Sequence, residues 1–395
     1  MKKLFALILC LCMLCGCTAP KNSSYIPVEK DREKKDISLG VWLSYYEIEE
    51  LLTPKESFKD NFAGVLENLQ NIRATDLYIH IRSHCDSLYK SEYFPQIPEA
   101  QNLDFDPFEY MLNQCHSKGI RVHAWFNPYR VSSAETNLEN LSKDSPAYKW
   151  LFDDNEENDK NVIVYNGIYL NPAEFEVRQL VLKGIEEVIE NYSVDGIHFD
   201  DYFYPTTDPE FDKKSFKVYK KTAKEPLSLE NWRRANVDAL IVDCKILTEN
   251  SKEKIVFSVS PAADIEKNYN SFYADISGWV KNGYVDEIIP QLYFGFNHTD
   301  RRFNFDNLLE KWQQLSSQNH SVKLKIGLAP YKIGTNSDSD GMEWQENKDI
   351  LSRQVKLCRE SEETQGVILF SYSSFFSDEE INTEERNNFI KAYSE

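Results

Sequence analysis

From Ile37 onward the spacing of apolar residues switches back and forth between two periods. Alternation by two, or a short apolar run, predicts strands over 38–44, 76–82, 120–127, 194–200, 255–260, 285–293, 323–329 and 366–372. Recurrence at helical spacing predicts helices over 57–72, 106–118, 174–191, 229–250, 272–282, 305–318, 344–361 and 379–393. Strands and helices that alternate in this way form a parallel sheet covered by helices. Eight repeats with no glycine-rich phosphate turn predict an α/β fold, a single (β/α)8 TIM barrel rather than a doubly wound nucleotide-binding sheet.

Parity within each strand says which side chains face the helices and which face the lumen. Leu77, Ile79 and Ile81 oppose Tyr78, His80 and Arg82, and Val122, Ala124 and Phe126 oppose Arg121, His123, Trp125 and Asn127. In the run Val194-Asp-Gly-Ile-His-Phe-Asp200, Ile197 and Phe199 oppose Gly196, His198 and Asp200. Later strands repeat the pattern: Phe257 and Val259 against Ser258 and Ser260, then Ile288, Pro290 and Leu292 against Ile289, Gln291 and Tyr293. Branched apolar residues fill an ordinary barrel, so polar residues at the strand ends equip this lumen for chemistry. Arg82, Asn127, Asp200, Ser260 and Gln291 are expected to converge at one end. The connections 128–173 and 201–228 follow strands 3 and 4, exceed the usual βα turn and predict the cleft walls.

The first residues follow a different rule. Met1-Lys2-Lys3 is basic, Leu4 to Leu14 is apolar but too short to span a membrane, and Leu14-Cys15-Gly16-Cys17 closes the segment. This resembles a bacterial lipoprotein signal. It implies removal of residues 1–16 and lipid modification of Cys17, and so an extracytoplasmic protein anchored to the cell membrane. Residues 17–36 are polar without an apolar period and read as a flexible tether, leaving 37–395 as the barrel.

A net charge of −19 repels nucleic acid, teichoic acids and anionic headgroups, so a neutral or amino-sugar polymer is the expected long partner. A monomer is expected. Outside the signal the cysteines are Cys85, Cys115, Cys244 and Cys358, whose spacing fits no metal motif and predicts free, mostly buried thiols.

Asp200-Asp201 is the sharpest chemical feature. Breaking a glycosidic bond needs one carboxylate to stabilise or attack the sugar carbon and one protonated carboxyl to release the leaving oxygen. Asp200 has the inward parity for the carboxylate and Asp201 could turn in as partner, with Asp86, Asp264 or Glu174 as alternatives. An N-cap or a solvated loop pair is the structural alternative. A cation held near His123 and His198 is another, but no His-x-x-x-His set accompanies the pair, and no cofactor or metal is implied. Arg82 and Asp86, at the second strand end, could fix a carboxylate, bind hydroxyls or simply pair with each other. Trp125 suits stacking on a sugar ring, and His123 and Asn127 suit its hydroxyls. Asn336-Ser-Asp338-Ser-Asp340-Gly341 imitates the start of a calcium loop, but Asn347 stands where that loop needs Glu, which predicts a solvated turn.

The run Val194-Asp-Gly-Ile-His-Phe-Asp-Asp-Tyr202, with His123-Ala-Trp-Phe-Asn-Pro-Tyr-Arg130, Leu170-Asn-Pro, Ser258-Val-Ser-Pro261 and Pro290-Gln-Leu-Tyr293, resembles the glycosyl-hydrolase-like family 10 barrels. The resemblance spans about residues 37 to 376 and implies a (β/α)8 glycosidase of the bacterial envelope. Some members act on peptidoglycan glycan. It further implies that Arg82, Asp86, His123, Trp125, Asn127, Arg130, Asp200, Asp201, Gln291 and Tyr293 line the cleft. Ala262-Ala263-Asp264 departs from the family's glycine-containing turn after Ser-Pro. The expected function is hydrolysis of a polysaccharide by paired carboxylates; the alternatives are a non-catalytic carbohydrate-binding lipoprotein and a metal-assisted deacetylase.

Overall fold

The computed structural model describes residues 36–395 except 102, 134 and 337. The signal peptide, Cys17 and all but the last residue of the tether lie outside the described residues. Eight parallel strands close into a barrel: β1 (Ser38–Leu43), β2 (Asp76–Arg82), β3 (Arg121–Phe126), β4 (Gly196–Phe199), β5 (Val256–Val259), β6 (Glu287–Ile288), β7 (Lys323–Leu328) and β8 (Thr364–Leu369). They pair in chain order, and Ser38–Val41 of β1 closes the ring against Gly366–Leu369 of β8. Helices such as Phe58–Asn71, Phe175–Asn191 and Leu229–Glu249 alternate with the strands, as periodicity predicts.

Three elements depart from expectation. β6 has two residues because Pro290 has no N–H to donate, and beyond it Gln291 makes only isolated bridges to Ala262 and Gly327. The expected helix 272–282 begins only at Ile276 (Ile276–Asn282), and a separate, unexpected helix, Ile265–Ser271, precedes it; each is started by an aspartate: Asp264 accepts from the Glu266 and Lys267 N–H groups, and Asp275 from that of Gly278. The expected helix 344–361 is split, into Glu343–Glu346 and Ile350–Arg359.

Outward-facing residues of the strands, among them Leu39, Leu77, Val122, Ile197 and Phe257, pack in one core with the helices. Inside the barrel lies a separate cluster of Trp42, Tyr78, Trp125, Ile289 and Ile368. Beneath it, around the strand starts, is an ionic layer. Asp76 Oδ1 lies 2.8 Å from Arg121 Nη2 and 2.8 Å from His123 Nε2, and Lys325 Nζ lies 2.7 Å from Glu287 Oε2. Burial raises the Asp76 pKa, but His123, Lys325 and Arg121 outweigh it, so the carboxyl is held well below the usual range. Gly196 is required here, since a Cβ would collide with the His123 ring.

The two long connections carry structure of their own. Residues 128–173 hold a small antiparallel sheet of Arg130–Ser132, Ile168–Leu170 and Val162–Val164 with a helix at Pro146–Phe152, and 201–228 hold the helix Lys213–Thr222. Cys85, Cys115, Cys244 and Cys358 are buried and free, as expected. The turn at 336–341 is not simply solvated: Asp340 is buried and paired with Lys332 at 2.8 Å. Among the described residues no helix is long and apolar enough to cross a membrane.

Candidate active site

A cavity of about 520 Å3 opens at the carboxyl ends of the strands, and all eight contribute to it. Trp42, His80, Trp125, His198 and Phe370 come from β1, β2, β3, β4 and β8 or the residue just beyond. Asp200, Ser260, Gln291 and Tyr331 follow β4, β5, β6 and β7.

Asp200 is 3% exposed. The Trp125 indole N–H donates to its Oδ2 at 3.1 Å, and Asn127 Nδ2 donates to both oxygens at 3.3 Å. The backbone N–H of Arg130 donates to Asn127 Oδ1, which fixes the orientation of that amide. Burial pushes the Asp200 carboxyl up to about 7, with the Arg130 guanidinium opposing, Asp201 adding and the Trp125 bond opposing. Asp201 accepts from Gln291 Nε2 at 3.3 Å, and the same amide donates to the Ser260 carbonyl. Burial raises Asp201 as well, against Gln291, Lys267 and Arg130.

His198 lies one layer below. Trp42 Nε1–H donates to its Nε2 at 3.0 Å, so its proton sits on Nδ1, which donates to Ser258 Oγ at 2.8 Å. Burial keeps the ring neutral. His80 stacks on Trp125 with centroids 3.8 Å apart, which sets the indole plane from which the N–H reaches Asp200. At the rim, Tyr46, Tyr202 and Tyr331 are 64%, 56% and 42% exposed. Tyr293 stacks on Phe370 and meets Tyr331 edge-on, forming the opposite wall.

A paired-aspartate cleft at the mouth of such a barrel can be set against known families. The family model for glycosyl hydrolase-like 10 matches residues 39–346. This chain belongs to that family. Its glycosyl hydrolase-like relatives include the glycosyl hydrolase YngK of Bacillus subtilis, 32% identical over 347 residues that are 81% of this chain and 64% of YngK. The chain thus spans less than two thirds of YngK's length. The glycosyl hydrolase DigH of Escherichia coli K12 is 29% identical over 332 residues, 77% of this chain and 73% of DigH. Among solved structures, the PgaB (BpsB) glycoside hydrolase domain from Bordetella bronchiseptica superposes with a TM-score of 0.59 at 12% identity, covering 90% of this chain and 98% of that one. A group IV chitinase from Ostrinia furnacalis gives 0.51 at 12% identity, covering 91% and 100%. At that identity the likeness is one of fold.

Of the residues expected to line the cleft of this glycosyl hydrolase-like protein, seven come together: Trp125, Asn127, Arg130, Asp200, Asp201, Gln291 and Tyr293. Three do not. Arg82 is turned away by an irregularity in β2, where His80 is level with Trp125 but Arg82 with outward-facing Phe126. Its guanidinium donates to the Asn127 and Pro128 carbonyls and lies over Phe94. It therefore supports the Asn127 backbone from behind instead of converging with Asp200. Asp86 accepts from the Ser83 and His84 N–H groups and shapes its own loop. His123, two residues before Trp125, belongs to the ionic layer at the other end of the barrel. The alternative carboxylates also lie elsewhere: Asp264 caps a helix, and Glu174 meets Ser215 and Lys160.

Strand parity could have supplied Trp42, which shares the inward face with Gly40 and Ser44, and Phe370, which follows Ile368 by two. Tyr46, Tyr202 and Tyr331 follow the strand ends, where alternation carries no information. Trp125 is 7% exposed and covered on one face by His80, so it presents less ring to a ligand than its type suggested.

Proposed function

We propose that this protein is an envelope glycosidase that hydrolyses a polysaccharide, the glycan strands of peptidoglycan. Asp200 acts as proton donor and Asp201 as the charged partner. The observation that carries this reading is a buried carboxyl raised to about 7 beside a second carboxylate, inside a cleft rimmed by exposed tyrosines. A carboxyl with that pKa still holds its proton near neutrality and can give it to a leaving oxygen. Burial raises Asp201 too, but its backbone bond, Gln291, Lys267 and Arg130 all favour its charged form, and in that form it faces the positive charge that develops on the sugar. These roles are the reverse of those that parity suggested, because burial outweighs the two donors aimed at Asp200. Tyrosine faces suit the apolar faces of sugar rings. The deacetylase alternative needs a metal donor set, and among the described residues no group of three or more His, Cys, Asp or Glu is placed to form one.

Asp200→Asn keeps size and polar reach but has no proton of this acidity to give. New reducing ends from peptidoglycan glycan strands should fall by at least about 100-fold, with strand binding retained. Undiminished hydrolysis would remove Asp200 from the chemistry, and a wild type that binds but never cleaves would establish the carbohydrate-binding alternative. The envelope location rests on Cys17: Cys17→Ala should move the protein out of the membrane fraction, and wild type found unlipidated in the medium would refute the anchor.

A further inference from the structure

Arg130 is the one lysine or arginine that lines the cleft among the described residues. Its Nε donates to the Ser83 carbonyl at 3.1 Å, and its guanidinium lies 4.9 Å from the centre of the Tyr202 ring and 5.7 Å from that of Tyr45. One bond and two ring contacts hold the group in place, yet its two terminal nitrogens have no hydrogen-bond partner among the described residues. No described carboxylate lies at ion-pair distance from it, in a chain with 64 acidic residues against 45 basic ones. Arg233, by comparison, is closed off by both oxygens of Asp212. A planar fork held by its stem, with its tips unused and facing a cavity, is built to take a planar oxyanion.

We propose that Arg130 is the specificity residue of this cleft, receiving a carboxylate carried by a sugar bound beside Asp200, so that the substrate is an acidic glycan. The inference rests on the glycosidase reading above and narrows its substrate class. The chemistry is shared by two sources: the lactyl ether carboxylate of a muramic-type sugar and the ring carboxylate of a uronic acid. Either would let a strongly acidic protein accept an acidic strand, because the local guanidinium offsets the repulsion of the whole at the point of contact.

The test compares full-length wild type on peptide-free peptidoglycan strands and on the same strands with their carboxylates converted to methylamides, counting new reducing ends. The free acid should be favoured by about 10- to 100-fold in kcat/KM, the range of one charge-assisted hydrogen-bonded contact. Arg130→Gln should abolish that preference and cleave both strands at the same low rate, while Arg130→Lys should keep part of it. Hyaluronan and its methylamide, run alongside, identify the source: a preference for the acid there marks a uronate, and a preference confined to the peptidoglycan strand marks the lactyl ether. Equal wild-type rates on acid and amide would overturn the proposal while leaving the glycosidase reading intact. So would a preference that survives in Arg130→Gln. If nothing is cleaved, the glycosidase reading fails instead, and retention of the two strands on immobilised wild type decides: equal retention overturns the carboxylate pocket, and stronger retention of the acid upholds it. The wild-type comparison does not depend on any variant folding.

Discussion

The proton on Asp200 has two readouts that share one midpoint. In the unfolded chain an aspartate titrates near ~3.9; in the fold burial moves Asp200 to about 7. Between those values the folded state binds more protons than the unfolded state, so stability falls as pH rises, by about 1.4 kcal/mol per unit and about 4 kcal/mol in all. Below pH ~4 both states are protonated and the loss is absent. Asp200→Asn lacks this slope, so its stability relative to wild type should grow from pH 4 to pH 7 and level off above, as read by urea unfolding across that range. Over the same group, wild-type kcat/KM should decline above pH 7 as the donor is lost. Parallel stability profiles for wild type and variant would show that Asp200 is not raised, and the assignment of Asp200 as donor would go with it.

At the scale of elements, alternation read from the sequence placed all eight strands and the inward set of β3 and β4, because a buried parallel strand has no freedom to shift one residue without turning every side chain over. It misplaced Arg82 for the same reason in reverse: one irregularity after His80 moves the residue to the other face, and no residue type announces it. It also gave direction without depth. His123 and Trp125 both face inward, but two residues along the strand separate the ionic floor from the cleft. In that floor Lys325 is 2% exposed and meets Glu287 at 2.7 Å, Tyr78 Oη at 3.3 Å and Asp76 at 3.9 Å. Lys325→Met leaves the buried Glu287 carboxylate without its cation and should cost about 3–5 kcal/mol in urea unfolding, most of it recovered when Glu287→Gln is added. A single variant as stable as wild type would mean that the layer does not support the barrel.

On the scale of the whole molecule, the ring is closed where the first and last strands meet, and the same seam carries part of the cleft. Glu47, in the short helix Tyr45–Leu51 after β1, uses both carboxylate oxygens across it. Oε2 accepts from the Ser44 N–H and Oγ, each at 2.6 Å, and Oε1 accepts from the Ser373 N–H and Oγ at 2.7 and 2.8 Å. Ser44, Tyr45 and Tyr46 lie on one side of this clamp and Phe370 on the other, and all four line the cavity. A carboxylate has acceptors for all four donors, whereas the amide of glutamine points N–H groups at one pair of them. Glu47→Gln should therefore lower stability by about 2–3 kcal/mol, since two buried donors lose their acceptor. The effect on catalysis should be selective. The Asp200 surroundings, built from β3 and β4, do not depend on Glu47, so KM for glycan strands should rise several-fold through the loosened Tyr46 wall while kcat and its pH midpoint stay near wild type. A fall in kcat with KM unchanged would mean that the seam supports the acid itself and not the wall beside it.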